Sequence, residues 1–244
     1  MDKIYELLNI PKQSRLKNRI ALNQLYKASD LTVKEQKDFS QKVEKIYLFS
    51  EINCNNCNYL PIVNEELRYE TIQFIYISLL KNEDISDIDL ILHRLFPNPI
   101  IIVYEYNEKY CFSSSMKRIN KVDNSKAVIS DIYNTTFNVQ NNFYETVSSI
   151  FNDRKIKNIY ELYKKIDDCI YYQMLFQLTN KFKYTLDIEQ IKDMYKKIEE
   201  LEKENRQLKI AYNSEKNKAK QMDLYMKIQK NINSIDLIVK EIEK

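Results

Sequence analysis

Apolar residues recur at three- and four-residue intervals in five stretches before residue 184, a pattern that predicts amphipathic helices. Pro11 and Pro97 mark where two of these helices should end, and Thr32 is a good starting residue for another. The predicted helices cover residues 1–10, 32–44, 85–95, 143–151 and 160–183.

Between these helices the pattern changes to alternation or to short apolar runs that are rich in β-branched and aromatic residues. We therefore predict strands over residues 46–52, 68–80, 100–104, 110–112 and 127–137, with a turn at Asn107 and Glu108. The strand, helix and strand between residues 68 and 104 imply a right-handed crossover that joins parallel strands. The hairpin after it adds antiparallel strands.

The predicted fold class follows from this order of elements. Strands that are interspersed with helices, and that pair in both directions, predict a mixed α/β (α+β) sheet domain over residues 1–142. The helices of residues 143–186 are apolar enough to pack back onto that sheet.

After Asp187 the apolar residues follow the three- and four-residue steps of a coiled-coil seam. A second seam begins out of phase with the first, and the shift falls across residues 213–215. Two antiparallel helices explain this shift more simply than one rod of about 87 Å, so we predict a helical hairpin over residues 187–244. The seam includes Ile191, Ile198, Leu201, Asn205, Leu208, Ile228, Ile235 and Ile242.

Two asparagines, Asn205 and Asn231, interrupt the apolar seams. A polar residue at such a position costs stability but fixes which helices pair and in which register. The seam can therefore be the interior of the hairpin, or a docking surface for another protein or for a second copy of this chain. The sequence leaves these interpretations open.

Composition excludes several chemistries. The chain has 244 residues and no glycine, so it contains no P-loop, no dinucleotide fingerprint and no kinase-type phosphate loop. We expect asparagine to take the left-handed turn positions instead. His93 is the only histidine, so a nucleophile and base pair with imidazole could form only around it, and a His-rich metal site is excluded.

Charge and hydropathy predict a soluble cytoplasmic protein that does not enter a membrane. The net charge is +3, which is too small to identify a nucleic-acid binder by itself, and the mean hydropathy is −0.54. The start of the chain, Met1-Asp2-Lys3, is unlike a signal peptide. In a reducing compartment the four cysteines are expected to be free thiols.

Two features could take part in metal binding or catalysis, but a structural role is favoured for both. Cys54 and Cys57 have the spacing of half a zinc site, yet no second close pair accompanies them, so we interpret them as loop cysteines. His93 lies one turn before a predicted helix end, where the helix dipole favours it as a cap or packing residue. As a general base it would need a nucleophile and an orienting carboxylate, and the sequence does not place Asp87 or Asp89 well enough to supply one.

Carboxylates are the remaining route to catalysis, because a magnesium-dependent nuclease needs only two or three acids and a lysine near a sheet edge. The candidates lack the spacing of the common restriction-type nuclease core. They are Glu65, Glu66, Glu70, Glu105 and Glu108, with Lys109. We therefore assign no catalytic or metal residue, expect no cofactor, and keep a metal-dependent nuclease as the alternative function.

A basic segment after the first predicted helix is the candidate nucleic-acid contact. It contains Lys12, Arg15, Lys17 and Arg19, side chains that are able to bind phosphates. The same density of charge is typical of a solvated helix face in a chain that is rich in lysine throughout. Both interpretations remain open.

The order of several short motifs resembles one family over nearly the whole chain, tail included. The motifs are Asn9-Ile10-Pro11-Lys12, Lys17-Asn18-Arg19-Ile20, Leu25-Tyr26, residues 39–52, Leu95-Phe96-Pro97-Asn98-Pro99 with the three isoleucines after it, and Glu215-Lys216-Asn217-Lys218 with the residues up to Leu224. They resemble the family known as domain of unknown function 4391. The chain departs from that pattern at Ala21-Leu22, where the family usually has Pro-Lys, at Leu48 and at His93.

The resemblance implies a gene neighbourhood and not an activity, since no activity is established for the family. Members of the family occur in bacteria and archaea, commonly encoded beside a helicase and a DNA methyltransferase in restriction-like defence loci. The expected function is that of a non-catalytic accessory subunit that binds such a partner through the α/β domain and the coiled-coil tail. A nuclease or DNA-binding subunit of the same kind of system is the alternative.

Overall fold

A computed structural model describes residues 1–29, 31–123, 126–180 and 186–243, which form ten strands and eight α-helices. The strands are β1 (Arg15–Ile20), β2 (Val43–Asn53), β3 (Ile62–Val63), β4 (Arg68–Tyr69), β5 (Thr71–Leu79), β6 (Ile100–Tyr106), β7 (Lys109–Ser114), β8 (Lys117–Ile119), β9 (Ala127–Ile129) and β10 (Tyr133–Asn134). The helices are α1 (Asp2–Leu7), α2 (Leu22–Ala28), α3 (Val33–Lys42), α4 (Ser86–Leu95), α5 (Asn141–Asn152), α6 (Ile159–Thr179), α7 (Ile188–Ser214) and α8 (Lys218–Ile242). The chain divides into two compact units, Met1–Met174 and Leu175–Lys244.

The first unit is built on a six-stranded mixed sheet with the strand order β1-β2-β5-β6-β7-β10. Strands β5 and β6 are parallel and are joined by α4, while all other neighbours in this sheet are antiparallel. This arrangement confirms the predicted parallel pair, the predicted hairpin and the mixed fold class. Two smaller sheets, β3 with β4 and β8 with β9, lie outside the main one.

Helices cover both faces of the main sheet, which explains why its central strands are apolar on both sides. One core contains buried residues of α1, α5 and α6 together with residues of the sheet such as Phe74 and Val103. The other core contains Leu25, Phe39 and Leu92, from α2, α3 and α4, packed with alternate residues of the same strands. Residues 143–174 thus belong to the same compact unit as the sheet, whereas the prediction extended this packing to residue 186.

Local signals set several element boundaries. Thr32 caps α3 and forms a capping box with Glu35, in agreement with its predicted role as a helix start. The turn between β6 and β7 consists of Asn107 and Glu108, both with positive φ, as tight hairpins prefer. Asn9 and Asn180 are the other described residues in the left-handed region. Asparagine therefore fills the positions that glycine usually takes, as expected.

Three segments differ from their predicted form. The single strand predicted over residues 68–80 is β4 and β5, which belong to different sheets. Residues 15–20, interpreted from their charge as a contact segment or a solvated helix face, form the edge strand β1. The single strand predicted over residues 127–137 is instead β9 and β10, which belong to different sheets. Strand β1 pairs with β2, β9 with β8 and β10 with β7, and the pattern within each segment does not show which strand it pairs with.

The second unit contains the predicted helical hairpin. Helices α7 and α8 have 27 and 25 residues and pack together, with Asp187 and Asn217 as their N-terminal caps. The Tyr212 and Tyr225 rings lie 6.5 Å apart near the turn, and Asn231 bonds to Glu204 further along, so the helices run antiparallel. A hairpin rather than a single rod is confirmed.

Candidate functional site

Arg15, one of the predicted phosphate contacts, is half-buried and is bound by neighbouring groups of this chain. Its Nη1 lies 2.8 Å from Glu6 Oε1 and its Nε donates to the Ile10 carbonyl at 2.9 Å. The guanidinium carbon also lies 4.9 Å from the centre of the Tyr5 ring, within the range of a cation–π contact. Through these contacts Arg15 links α1 to β1.

The other three predicted contacts are exposed on β1 and just before it. Lys17 Nζ is 3.0 Å from Asp2 Oδ1, and this ammonium lowers the pKa of the Asp2 carboxyl. Lys12 and Arg19 are exposed, and no ion pair is found for them among the residues that the structure describes. The carboxylates of α1 thus offset half of the charge for which the segment was singled out.

A buried polar cluster lies between α4 and the sheet. His93 Nε2 is 2.9 Å from Ser113 Oγ and 3.9 Å from Asp89 Oδ1, and the Tyr104 hydroxyl donates to the same Asp89 oxygen at 2.8 Å. In a nucleophile–base–acid triad the carboxylate bonds to the ring nitrogen opposite the one that faces the nucleophile. Here both face Nε2, and all four residues are buried. The cluster joins a helix to a sheet.

Burial acts in opposite directions on the two ionisable groups of this cluster. It raises the pKa of Asp89 to about 6, although hydrogen bonds from Tyr104, Ser113 and Asn134 lower it. Burial, followed by the positive charge of Lys117, lowers the pKa of His93 to about 3. The imidazole is therefore neutral at physiological pH.

Lys117, which the sequence did not single out, closes the C-terminal end of α4. Its side chain is 4% exposed, and its ammonium donates to the carbonyls of His93 at 2.8 Å, Asn98 at 2.9 Å and Phe96. Carbonyls at a helix end have no partner within the helix, and a cation there is favoured by the dipole. Burial lowers the pKa of Lys117 to about 7.

The acidic candidates do not converge. Glu65, Glu66 and Glu70 are exposed, while Glu105 accepts a hydrogen bond from the Glu108 backbone at 2.7 Å. Over the described ranges, no group of three or more His, Cys, Asp or Glu side chains is placed to hold a metal ion. The structure thus adds no geometric support to the nuclease alternative.

Cys54 is exposed and Cys57 is buried, and both are free thiols. Burial raises the pKa of the Cys57 thiol, which disfavours the reactive thiolate.

The predicted seam residues lie on the inner side of the hairpin. Ile191, Ile198, Asn205, Ile228 and Ile242 are buried, and Leu201, Leu208 and Ile235 are half-buried. The seam is therefore occupied within the chain, and a partner would have to use other surfaces of α7 and α8.

Asn205 allows a direct test of this interior. It is 7% exposed, and its Oδ1 has no hydrogen-bond partner within the part of the chain that the structure describes. We expect Asn205→Leu to stabilise the hairpin by about 1 kcal/mol, because a buried unpaired acceptor is removed. Hydrogen exchange of the α7 and α8 amides should slow by about fivefold.

Asn231→Leu is the matched control, since Asn231 Nδ2 already donates to Glu204 Oε2 at 3.0 Å at a more exposed position of the seam. Its amide exchange should be unchanged or faster. Equal slowing in the two variants would show that added apolar area, and not the unpaired amide, decides the effect.

Large apolar side chains also remain on the outside of the hairpin. They are Ile210, Met222, Tyr225, Met226 and Leu237, which are between 45% and 72% exposed. These residues lie outside the seam, so the heptad pattern does not mark them. Their angular position around each helix relative to the seam could have identified them from the sequence.

Among the residues that the structure describes, no helix combines the length and apolar character that a membrane crossing requires.

A mixed sheet unit followed by a helical hairpin with an occupied interior defines an α+β protein with a helical extension. The chain belongs to the family described as Domain of unknown function (DUF4391), whose model matches residues 8–235. No curated protein and no solved structure gives a significant match.

Proposed function

We propose that this protein is a non-catalytic accessory subunit of a restriction-like defence system and that it binds a helicase or DNA methyltransferase partner. Membership of the family supports the setting, because the family is commonly encoded beside such enzymes. The helical hairpin supports the role of a binding subunit, because one of its surfaces has the character of a docking site.

That surface is the outer apolar face of α8, formed by Met222, Met226 and Leu237. Met222 and Met226 are one turn apart, and Leu237 follows after about three further turns, so the three side chains share one side of the helix. Ile228, about 200° around the axis from Met226, is buried against the opposite side. Single exposed apolar residues are common on protein surfaces, whereas an aligned set on a long helix is typical of a helix-docking surface.

The occupant that we propose is a helical segment of the partner enzyme, laid along α8. Methionine suits such a surface because its unbranched side chain adapts to the partner. The α/β unit would supply further contacts, as expected from the family resemblance, but the outer apolar face should dominate the affinity.

Co-purification tests this proposal. The tagged full chain is expressed with a helicase and a DNA methyltransferase from the same genome, and the retained partner is quantified. We expect the wild type to retain one of them and Met222→Gln/Met226→Gln/Leu237→Gln to retain at least about tenfold less, since three apolar anchors are lost. Glutamine keeps the helix propensity of these exposed positions.

Val33→Gln/Leu60→Gln is the matched control, because both residues are exposed apolar side chains of the sheet unit. It should retain the partner at the wild-type level. The proposal fails if the wild type retains neither enzyme, or if both variants lose the partner equally.

A further inference from the structure

The turn end of the hairpin concentrates positive charge. Residues 205–228, here called the hairpin tip, contain six basic and two acidic side chains, whereas the rest of residues 187–244 contains seven basic and ten acidic ones. The basic residues of the tip are all exposed and come from both helices and the turn. They are Arg206, Lys209, Lys216, Lys218, Lys220 and Lys227.

Five of these side chains are uncompensated. Arg206 lies 4.0 Å from Glu202, but none of the five lysines has an ion pair with any residue that the structure describes. The two acids of the tip do not change this, since Glu215 accepts a hydrogen bond from the Asn217 backbone at 2.8 Å and Asp223 pairs with no described lysine. Arg15 and Lys17 in the N-terminal segment, by contrast, are paired with carboxylates.

The placement of the lysines opposes what helix stability favours. Lys218 and Lys220 lie in the first turn of α8, which contains no acidic residue, and Lys216 immediately precedes its cap Asn217. The positive end of the helix dipole lies there, so a cation destabilises the helix and an anion stabilises it. An anionic ligand at the tip would compensate the charge of the lysines and would stabilise the N-terminal end of α8.

The remaining chemistry of the tip favours nucleic acid over a membrane. Residues 213–221, which carry Lys216, Lys218 and Lys220, contain no large apolar side chain that could insert into a bilayer, and the exposed Ile210 and Met222 lie outside this segment. Lysine side chains contact the phosphates of a duplex without reading its bases.

We propose that the hairpin tip binds the phosphate backbone of a nucleic-acid duplex. The lysines extend about 14 Å along the hairpin from its end, which corresponds to about four base-pair steps. Contact is made through charge, without recognition of base sequence. Met222 and Met226 of the outer apolar face lie within the tip, but the lysines that contact the duplex are different residues, so this proposal is tested separately from the proposed partner.

The test is fluorescence anisotropy of a labelled 20-base-pair DNA duplex, titrated with the full chain at several salt concentrations. With about four phosphates neutralised, the logarithm of the binding constant should fall with the logarithm of salt at a slope of about −3.6. Affinity should then drop about 100-fold between 50 and 200 mM salt.

Lys216→Gln/Lys218→Gln/Lys220→Gln should weaken binding at 100 mM salt by more than about tenfold and make the slope shallower by about 2.7. The matched control is Lys196→Gln/Lys197→Gln/Lys203→Gln, which removes the same charge from exposed positions nearer the other end of α7. It should stay within about twofold of the wild type. Circular dichroism should show unchanged helix content in both variants.

The proposal is wrong if the wild type binds no duplex at 50 mM salt or if the tip variant binds as tightly as the wild type. It is also wrong if the control loses as much affinity as the tip variant. Binding to phosphatidylserine vesicles without binding to the duplex would also overturn it, in favour of a membrane ligand. Loss of the partner enzyme in the co-purification experiment would leave the duplex result unaffected, so the two proposals fail separately.

Discussion

Lys117→Met is expected to lower the free energy of unfolding by about 3 kcal/mol. The substitution keeps the length and the apolar stem of the side chain but leaves the carbonyls of His93, Phe96 and Asn98 without their shared donor at a helix end. Desolvation of the ammonium opposes this effect, as its lowered pKa shows, but removing one partner of a buried network costs more than the network contributes. Thermal or urea unfolding of the full chain measures the difference.

Arg118→Met is the control for this prediction. Arg118 is the exposed neighbour of Lys117 on β8, so its substitution should change the free energy of unfolding by less than about 0.5 kcal/mol. If Lys117→Met were as stable as the wild type, water or a rearranged helix end would be satisfying the carbonyls, and the assigned role of the ammonium would be wrong.

Asp89→Asn is expected to change how stability depends on pH. The pKa of the wild-type carboxyl is raised to about 6 in the folded state, against about 3.8 when unfolded, so between these values the folded state binds more protons. Wild-type stability therefore gains from this group as pH falls through that window, and the buried carboxylate costs stability above it. The asparagine, which is never charged, should make the variant more stable than the wild type by about 3 kcal/mol at pH 7.5.

This advantage should disappear near pH 4, because the wild-type carboxyl is then protonated. His93 acts in the opposite direction, since its pKa is about 3 when folded and 6.5 when unfolded, so stability is lost as pH falls between those values. In the wild type, Asp89 and His93 thus change the free energy of unfolding in opposite directions as pH falls. In Asp89→Asn only the effect of His93 remains. Its free energy of unfolding should fall steeply from pH 6 to pH 4.

Urea unfolding at a series of pH values gives this profile. Asp87→Asn, which removes an exposed carboxyl from the same helix, is the control and should follow the wild-type curve. A constant difference between Asp89→Asn and the wild type from pH 4 to pH 7.5 would mean that Asp89 does not titrate within this range in the folded protein.

The fold could be predicted from the sequence where periodicity carries the information. The parallel pair β5 and β6, the hairpin β6 and β7, and the helical hairpin all follow from short-range patterns, and the structure contains each of them. The strand β1 was missed because its residues, Arg15–Ile20, are mostly charged or polar. An edge strand of that composition is recognised by its partner β2 and not by its own pattern.

The candidate sites were less predictable, for the same reason. The basic segment was visible, but the pairing of Arg15 with Glu6 and of Lys17 with Asp2 depends on how α1 packs beside β1. The seam was found by its heptad spacing, whereas the outer apolar face becomes meaningful only once the hairpin shows which side of α8 is covered.

The sequence by itself determined which chemistries are excluded, since the absence of glycine and the single histidine hold whatever the fold. It also determined the helical hairpin, because heptad spacing is a local property of the chain. Only the tertiary structure decided that His93 faces Ser113 and that Lys117 closes a helix 24 residues away. Such contacts join residues that are far apart in sequence, and a buried charge takes its role from the groups that folding places around it.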